Sequence, residues 1–161
     1  MEDKVPSPNR RGGGAHPNHY ASTKRVASIC LAASLAACSV RDSGISTALT
    51  ALVKDDSHEF VDLGQIDGSE WDRVCFLTPY MSNEGTEKVL GFRWNSDHYT
   101  SIRENDGIAV LVLVKDDEVV SFAEHPRGSG DLSNVGAGCL PRAEAKLKRV
   151  RRADGWLELR A

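Results

Sequence analysis

No stretch of this chain is long and apolar enough to cross a bilayer as a helix. Its longest uncharged, mostly apolar run is Val26 to Ala37, a dozen residues, where a span needs about 20. Cysteine is scarce, with four in 161 residues, at 30, 38, 75 and 139. Neither Cys75 nor Cys139 has a second cysteine or a histidine at ligand spacing, which disfavours a zinc site. Positive charge is not in excess. Five of the 20 basic and two of the 23 acidic residues precede position 38, leaving residues 38–161 at net −6. An acidic domain is a poor partner for nucleic acid or for direct attraction to anionic lipid. Signature motifs are missing too. Ser82, Ser121 and Ser129 lack a Gly-x-Ser-x-Gly elbow. Asp116, Asp117 and Glu118 lack EF-hand spacing. No internal repeat is evident, and nothing calls for a cofactor or a metal.

What is present starts with an address. The apolar run follows Lys24-Arg25, carries no charge, and passes directly into polar Ser39-Val-Arg-Asp-Ser-Gly44. Its length and flanks suit the apolar region of a secretory signal. It ends in Leu35-Ala36-Ala37-Cys38, which resembles the lipobox of bacterial lipoproteins. That resemblance implies a diacylglycerol on the Cys38 thiol, cleavage just before Cys38, and an acylated new amino terminus. It also implies sorting to the outer membrane, because Ser39 rather than aspartate follows the anchor, with the domain facing the periplasm. Membrane contact would then come from the acyl chains, at about 0.8 kcal/mol per buried methylene. The alternative readings are ordinary secretion without lipid, or an Ala-rich core helix with Cys38 buried as a small hydrophobe.

The expected organisation is a disordered leader and signal over 1–37, a lipidated tether over 38–47, and one domain over 48–161. Cys30 would leave with the signal. Cys75 and Cys139 are then two thiols in an oxidising compartment, where a disulfide is expected.

Within the domain, Ile45, Leu49, Leu52 and Val53 share one face of a short helix. Phe60 to Leu63 is a short apolar segment ending at Gly64. Trp71 to Leu77 reads as a buried strand stopped by Pro79. Ser82 suits the N-cap of a helix through Leu90, with Gly91 as its C′ residue. Phe92-Arg-Trp94 is expected to return to extended structure. Ile108 to Val114 favours a central strand, and Val119 to Glu124 returns from the turn Lys115-Asp-Asp-Glu118 as a hairpin. Ala145 to Val150 and Trp156 to Leu159 suggest a second hairpin through Ala153-Asp-Gly155, a strong turn signal. The expected class is α+β: a small antiparallel sheet with one or two short helices in a single domain.

Candidate functional residues are few. Six of the ten aromatic residues lie between Trp71 and Tyr99. If Tyr80, Trp94 and Tyr99 are exposed together, they suit a partner-binding surface; core packing is the competing explanation. His58, His98 and His125 are far apart in sequence, each in a polar stretch, and no local catalytic signature surrounds them. Gly128-Ser-Gly-Asp131 could be a ligand loop or simply the exit from a hairpin. Lys146, Lys148, Arg149, Arg151 and Arg152 could meet an acidic partner, lipid headgroups or peptidoglycan carboxylates, or form a solvated strand face. Trp71 to Tyr80 followed by Leu90-Gly-Phe92 resembles small bacterial envelope proteins to which no activity attaches. The architecture is weakly similar to assembly-factor lipoproteins of the outer-membrane barrel machinery.

The expected function is a lipid-anchored, non-enzymatic envelope protein that binds another envelope protein or a cell-wall component such as peptidoglycan. An inhibitor or immunity protein against a cell-wall-directed enzyme is the first alternative. A small periplasmic hydrolase using His98 or His125 is the second.

Overall fold

Ile108 to Val114 lies where its composition puts it, in the middle of a sheet. The computed structural model describes residues 40–41, 43–66, 70–136 and 138–161. The expected signal segment, Cys38 and Cys30 lie outside the described residues.

The described chain forms three helices and eight strands in two sheets. The helices are α1 (Ser43–Lys54), α2 (Asn83–Leu90) and α3 (Ser96–Tyr99). The strands are β1 (Val40–Arg41), β2 (Phe60–Asp62), β3 (Arg73–Leu77), β4 (Ile108–Lys115), β5 (Glu118–Pro126), β6 (Gly138–Pro141), β7 (Lys146–Arg151) and β8 (Leu157–Arg160). The larger sheet has the order β1-β5-β4-β3-β6, and the smaller the order β2-β7-β8. Every pairing is antiparallel except β1 with β5. The strands β1, β3 and β5 therefore run in one direction. The α+β class is as expected, with the antiparallel content divided between two sheets.

Because β4 has a strand on each side, both of its faces must be covered. Ala109, Leu111 and Leu113 share one face with Val74 and Phe76. They pack under Ile45, Leu49 and Val53 of α1 and Val61, Leu147 and Leu159 of the small sheet. Val110, Val112 and Val114 share the other face with Cys75, Leu77 and Phe122, under Leu90, Ile102, Phe92 and Trp94. Strand alternation thus builds two cores from one continuous apolar run. A bulge follows in β5, where Leu113 pairs with Ser121 but Val114 with Val119. The extra residue, Val120, lets Val119 and Phe122 share a face although they are three apart.

Local signals account for the ends. The Ser82 side chain accepts from Gly85 N–H at 3.2 Å and caps α2, and Gly91 closes it at φ 84°. Both hairpins form as expected, β4–β5 across Asp116-Asp117 and β7–β8 across 152–156. Asp116 takes φ 52° at the first turn position, which aspartate tolerates.

Three expectations fail. Phe92-Arg-Trp94 forms no strand; Phe92 and Trp94 instead turn inward over the second core, and α3 follows directly. The strand read from Trp71 starts at Arg73, with Trp71 buried in the first core ahead of it. The domain also starts before residue 48. Val40 and Arg41 pair with Ser121 and Phe122, and α1 begins at Ser43 with Ile45 buried, so most of the expected tether belongs to the fold.

Candidate functional site

Cys75 and Cys139 stand directly opposite each other on β3 and β6 and are joined as a disulfide. Their Cα atoms are 4.0 Å apart, the close approach of a non-hydrogen-bonded antiparallel pair. Cys75 is buried and Cys139 half-buried on the edge strand. The bridge therefore fastens an edge rather than forming a reactive centre.

The aromatic residues have divided roles. Trp71, Phe76 and Phe122 are core. Trp94 lies half-buried over Phe122, edge to face, with ring centroids 5.2 Å apart. Tyr99 stacks on Trp94 at 5.6 Å with the rings within 6° of parallel. His98 meets Tyr99 edge-on at 4.9 Å. Tyr99 remains 40% exposed and Tyr80 63% exposed, so two of the three expected surface aromatics do face solvent. Among the described residues no aromatic ring stacks on Tyr80.

One side chain positions this surface, and sequence reading missed it. Asn83, in the first turn of α2, uses its whole amide on α3. Its Nδ2 donates to Asn95 Oδ1 (3.1 Å) and Asp97 Oδ2 (3.0 Å). Its Oδ1 accepts from Ser96 Oγ (3.0 Å) and the Asp97 N–H (3.1 Å). Buried Thr86 adds a bond to Ser96 Oγ at 2.9 Å, and Arg103 holds Asp97 at 3.2 Å. A four-residue helix has little stability of its own; this lattice fixes α3 and so places Tyr99 on Trp94. A cleft of about 440 Å³ borders the platform, lined by Asn83, Glu84, Glu87, Arg93, Trp94 and Asn95.

The histidines do not converge. His125 on β5 is fully buried, with Nδ1 3.0 Å from Ser46 Oγ on α1. Burial pushes its pKa down, against a smaller opposing effect from the Ser129 and Gly130 backbone. Among the described side chains no carboxylate is bonded to His98 or His125. His58 lies 3.3 Å from Asp55 and 2.8 Å from Ser57 Oγ, all three exposed. Both contacts use His58 Nδ1, so the imidazole does not bridge serine and carboxylate. Ser57 N–H and Oγ also bond Asp55, which makes the group a turn at the end of α1. Among the described residues no three His, Cys, Asp or Glu side chains gather as a metal site requires.

The Gly128–Asp131 loop is built around Asp131. Its carboxylate accepts from Arg127 Nε (3.0 Å) and Nη2 (2.8 Å), the Ser133 N–H (2.9 Å) and Trp156 Nε1 (3.0 Å). Burial alone would raise the pKa of this acid. The Arg127 guanidinium and the other donors outweigh it and hold the carboxyl well below the usual range. A fully satisfied carboxylate is a loop brace. The basic cluster is likewise engaged, through Lys146–Asp62 (4.0 Å), Lys148–Glu59 (3.0 Å), Arg151–Asp56 (3.8 Å) and Arg152–Glu158 (3.4 Å). Arg149 donates to the backbone carbonyls of Leu52, His58 and Phe60. Acidic neighbours thus neutralise much of that strand face.

Set against known protein families, curated proteins and solved structures, the chain matches none.

Proposed function

We propose that this chain is a lipid-anchored, non-enzymatic envelope protein that binds another envelope protein or a cell-wall component through Tyr80, Trp94 and Tyr99. The observation that carries the binding half is the pair of exposed tyrosines, one of them stacked on Trp94 beside a lattice of six hydrogen-bonding side chains. Rigid amphipathic aromatics supply contact area at low entropic cost, which is why they dominate binding hot spots. The anchoring half rests on the sequence Leu35-Ala36-Ala37-Cys38.

Each half has its own test. Metabolic labelling with a radioactive fatty acid should mark the wild-type chain and not Cys38→Ala, which should accumulate as uncut precursor. Label retained on the alanine variant would sink the anchor. Crosslinking in intact envelopes should join the surface around Tyr99 to its partner, and Tyr99→Ala should weaken the product.

A second reading, an inhibitor or immunity protein against a cell-wall-directed enzyme, is favoured by one observation. Among the described residues Tyr80 is the most exposed large hydrophobic side chain, and it sits in a tight turn.

A further inference from the structure

The cleft beside the aromatic platform is lined by side chains of one kind. Five of its six lining residues end in a planar polar group: the amides of Asn83 and Asn95, the carboxylates of Glu84 and Glu87, and the guanidinium of Arg93. The sixth is the indole of Trp94. No aliphatic side chain lines it, so it offers no apolar socket of the kind that takes a protein's anchor residue. Tyr80, at a left-handed turn position with φ 65°, is not among the lining residues.

Much of the hydrogen-bonding capacity here is unspent. Asn83 is the exception, since its amide is given wholly to α3. Asn95 Oδ1 accepts from Asn83, which fixes that side chain, while its Nδ2 donates to none of the described residues. The Glu84 carboxylate likewise has no partner among the described residues. Arg93 reaches Glu87 only through Nε, at 3.8 Å. Trp94 Nε1 is shielded from water and has no acceptor among the described residues. A shielded donor calls for an acceptor, and the oxygen of a ligand lying in the cleft can supply it. Unspent donors and acceptors thus lie together around one aromatic ring.

That combination suits a sugar. A pyranose carries hydroxyls that both donate and accept, and planar amides, carboxylates and guanidinium groups pair with them. Its C–H face is weakly positive and rests on the negative face of an aromatic ring. Tyr99, stacked on Trp94 and 40% exposed, extends that surface. Charge narrows the class, because two carboxylates stand against one guanidinium, which disfavours an acidic sugar. We propose that this cleft binds a short stretch of uncharged oligosaccharide. Glu84, Arg93 and Asn95 pair with its hydroxyls, and Trp94 and Tyr99 receive a ring face. The inference rests on the aromatic-surface reading and narrows its partner to a glycan.

The test is an NMR titration of the full chain carrying heavy nitrogen at tryptophan. Three tryptophans give three indole signals, and Trp94→Phe identifies the one at the cleft. The probes are neutral tetramers of N-acetylglucosamine and of glucose, with a tetramer of galacturonic acid as the acidic counterpart. A neutral tetramer should move the Trp94 signal saturably and leave those of Trp71 and Trp156 in place. Glu84→Gln and Asn95→Asp preserve size, and the second keeps the oxygen that accepts from Asn83. Each should weaken binding about fivefold, the loss expected of one hydrogen bond. No saturable shift with either neutral tetramer would overturn the proposal. So would equal or tighter binding of the acidic tetramer, unchanged affinity in both variants, or a Trp156 signal that moves as far as that of Trp94. Crosslinking from position 99 in intact envelopes separates this failure from that of the wider reading. A protein adduct without sugar binding would end the glycan assignment and leave the aromatic surface standing; absence of both would end both.

Discussion

His125 is an imidazole kept from water between the sheet and α1, with Ser46 at Nδ1. Its pKa is lowered by burial, so the folded protein resists a proton that the unfolded chain accepts. The sign follows. The stability tied to neutral His125 is fully present above the unfolded value of about 6.5 and declines as pH falls toward the lower folded value. Urea midpoints should therefore be lower at pH 5 than at pH 7.5, and His125→Gln should shrink that difference. An unchanged pH slope in the variant would assign the effect elsewhere. Asp131 titrates in a separate window. Its depressed pKa contributes stability that is full above about pH 4 and lost only on further acidification, so it does not interfere with the comparison.

At the scale of elements, β4 and its turn give opposite responses to charge. Val112 is fully buried on the second face of the sheet. An aspartate there has no water and no cation, so Val112→Asp should cost several kcal/mol or force protonation of the new carboxyl. For a domain holding about 5–15 kcal/mol in total, that can abolish folding. Asp117 lies in the turn with a single 3.5 Å contact to Arg73 and is largely exposed. Asp117→Asn should shift stability by under about 0.5 kcal/mol. Urea melts of the two variants decide the matter, and equal midpoints would contradict the strand assignment. The disulfide makes a third case. It closes a separation of 64 residues, for which loop entropy gives about 4 kcal/mol. Among the described residues β6 has β3 as its only strand partner. Reduction, or Cys75→Ser, should lower the urea midpoint and raise hydrogen exchange first at 138–141; a melt indifferent to reductant would contradict this.

The elements legible in the sequence share a physical property: their information is local. The apolar face Ile45-Leu49-Val53, the Ser82 cap with Gly91, and the Asp154-Gly155 turn specify structure within about ten residues of chain. What escaped reading is non-local or defined by its neighbours. β6 has little apolar character of its own and is a strand because β3 lies beside it, although Cys139 opposite Cys75 was a usable hint. α3 exists through Asn83, a residue of another helix. The site was half legible for the same reason. Tyr80 and Tyr99 stood out as amphipathic residues in an aromatic-rich stretch. That Trp94 would be spent largely on supporting Tyr99, and that Tyr80 would sit at a left-handed turn position, depended on contacts made at a distance.

On the scale of the whole molecule, one sheet separates two cores, and covering pieces come from both ends of the described chain. α1 and the small sheet close one face, while α2, α3 and the segment around Ile102 close the other. The aromatic platform belongs to the second face, and the His125–Ser46 contact to α1. A change at Ser46 should therefore leave the Trp94–Tyr99 stack in place, which tryptophan fluorescence of Ser46→Ala can check. The parallel pairing of β1 with β5 has a larger consequence. Only Ser39 separates Cys38 from Val40, so a lipid on Cys38 would moor the sheet within about 7 Å of the bilayer surface. The chain enters β1 at the end of the sheet where β3 and β5 begin, beside the Asp116-Asp117 turn. Tyr80 follows the opposite end of β3, beyond Leu77. On an anchored molecule Tyr80 would follow the end of the larger sheet away from the attachment point. A partner engaging Tyr80 would then meet the molecule at the end of the sheet opposite its attachment.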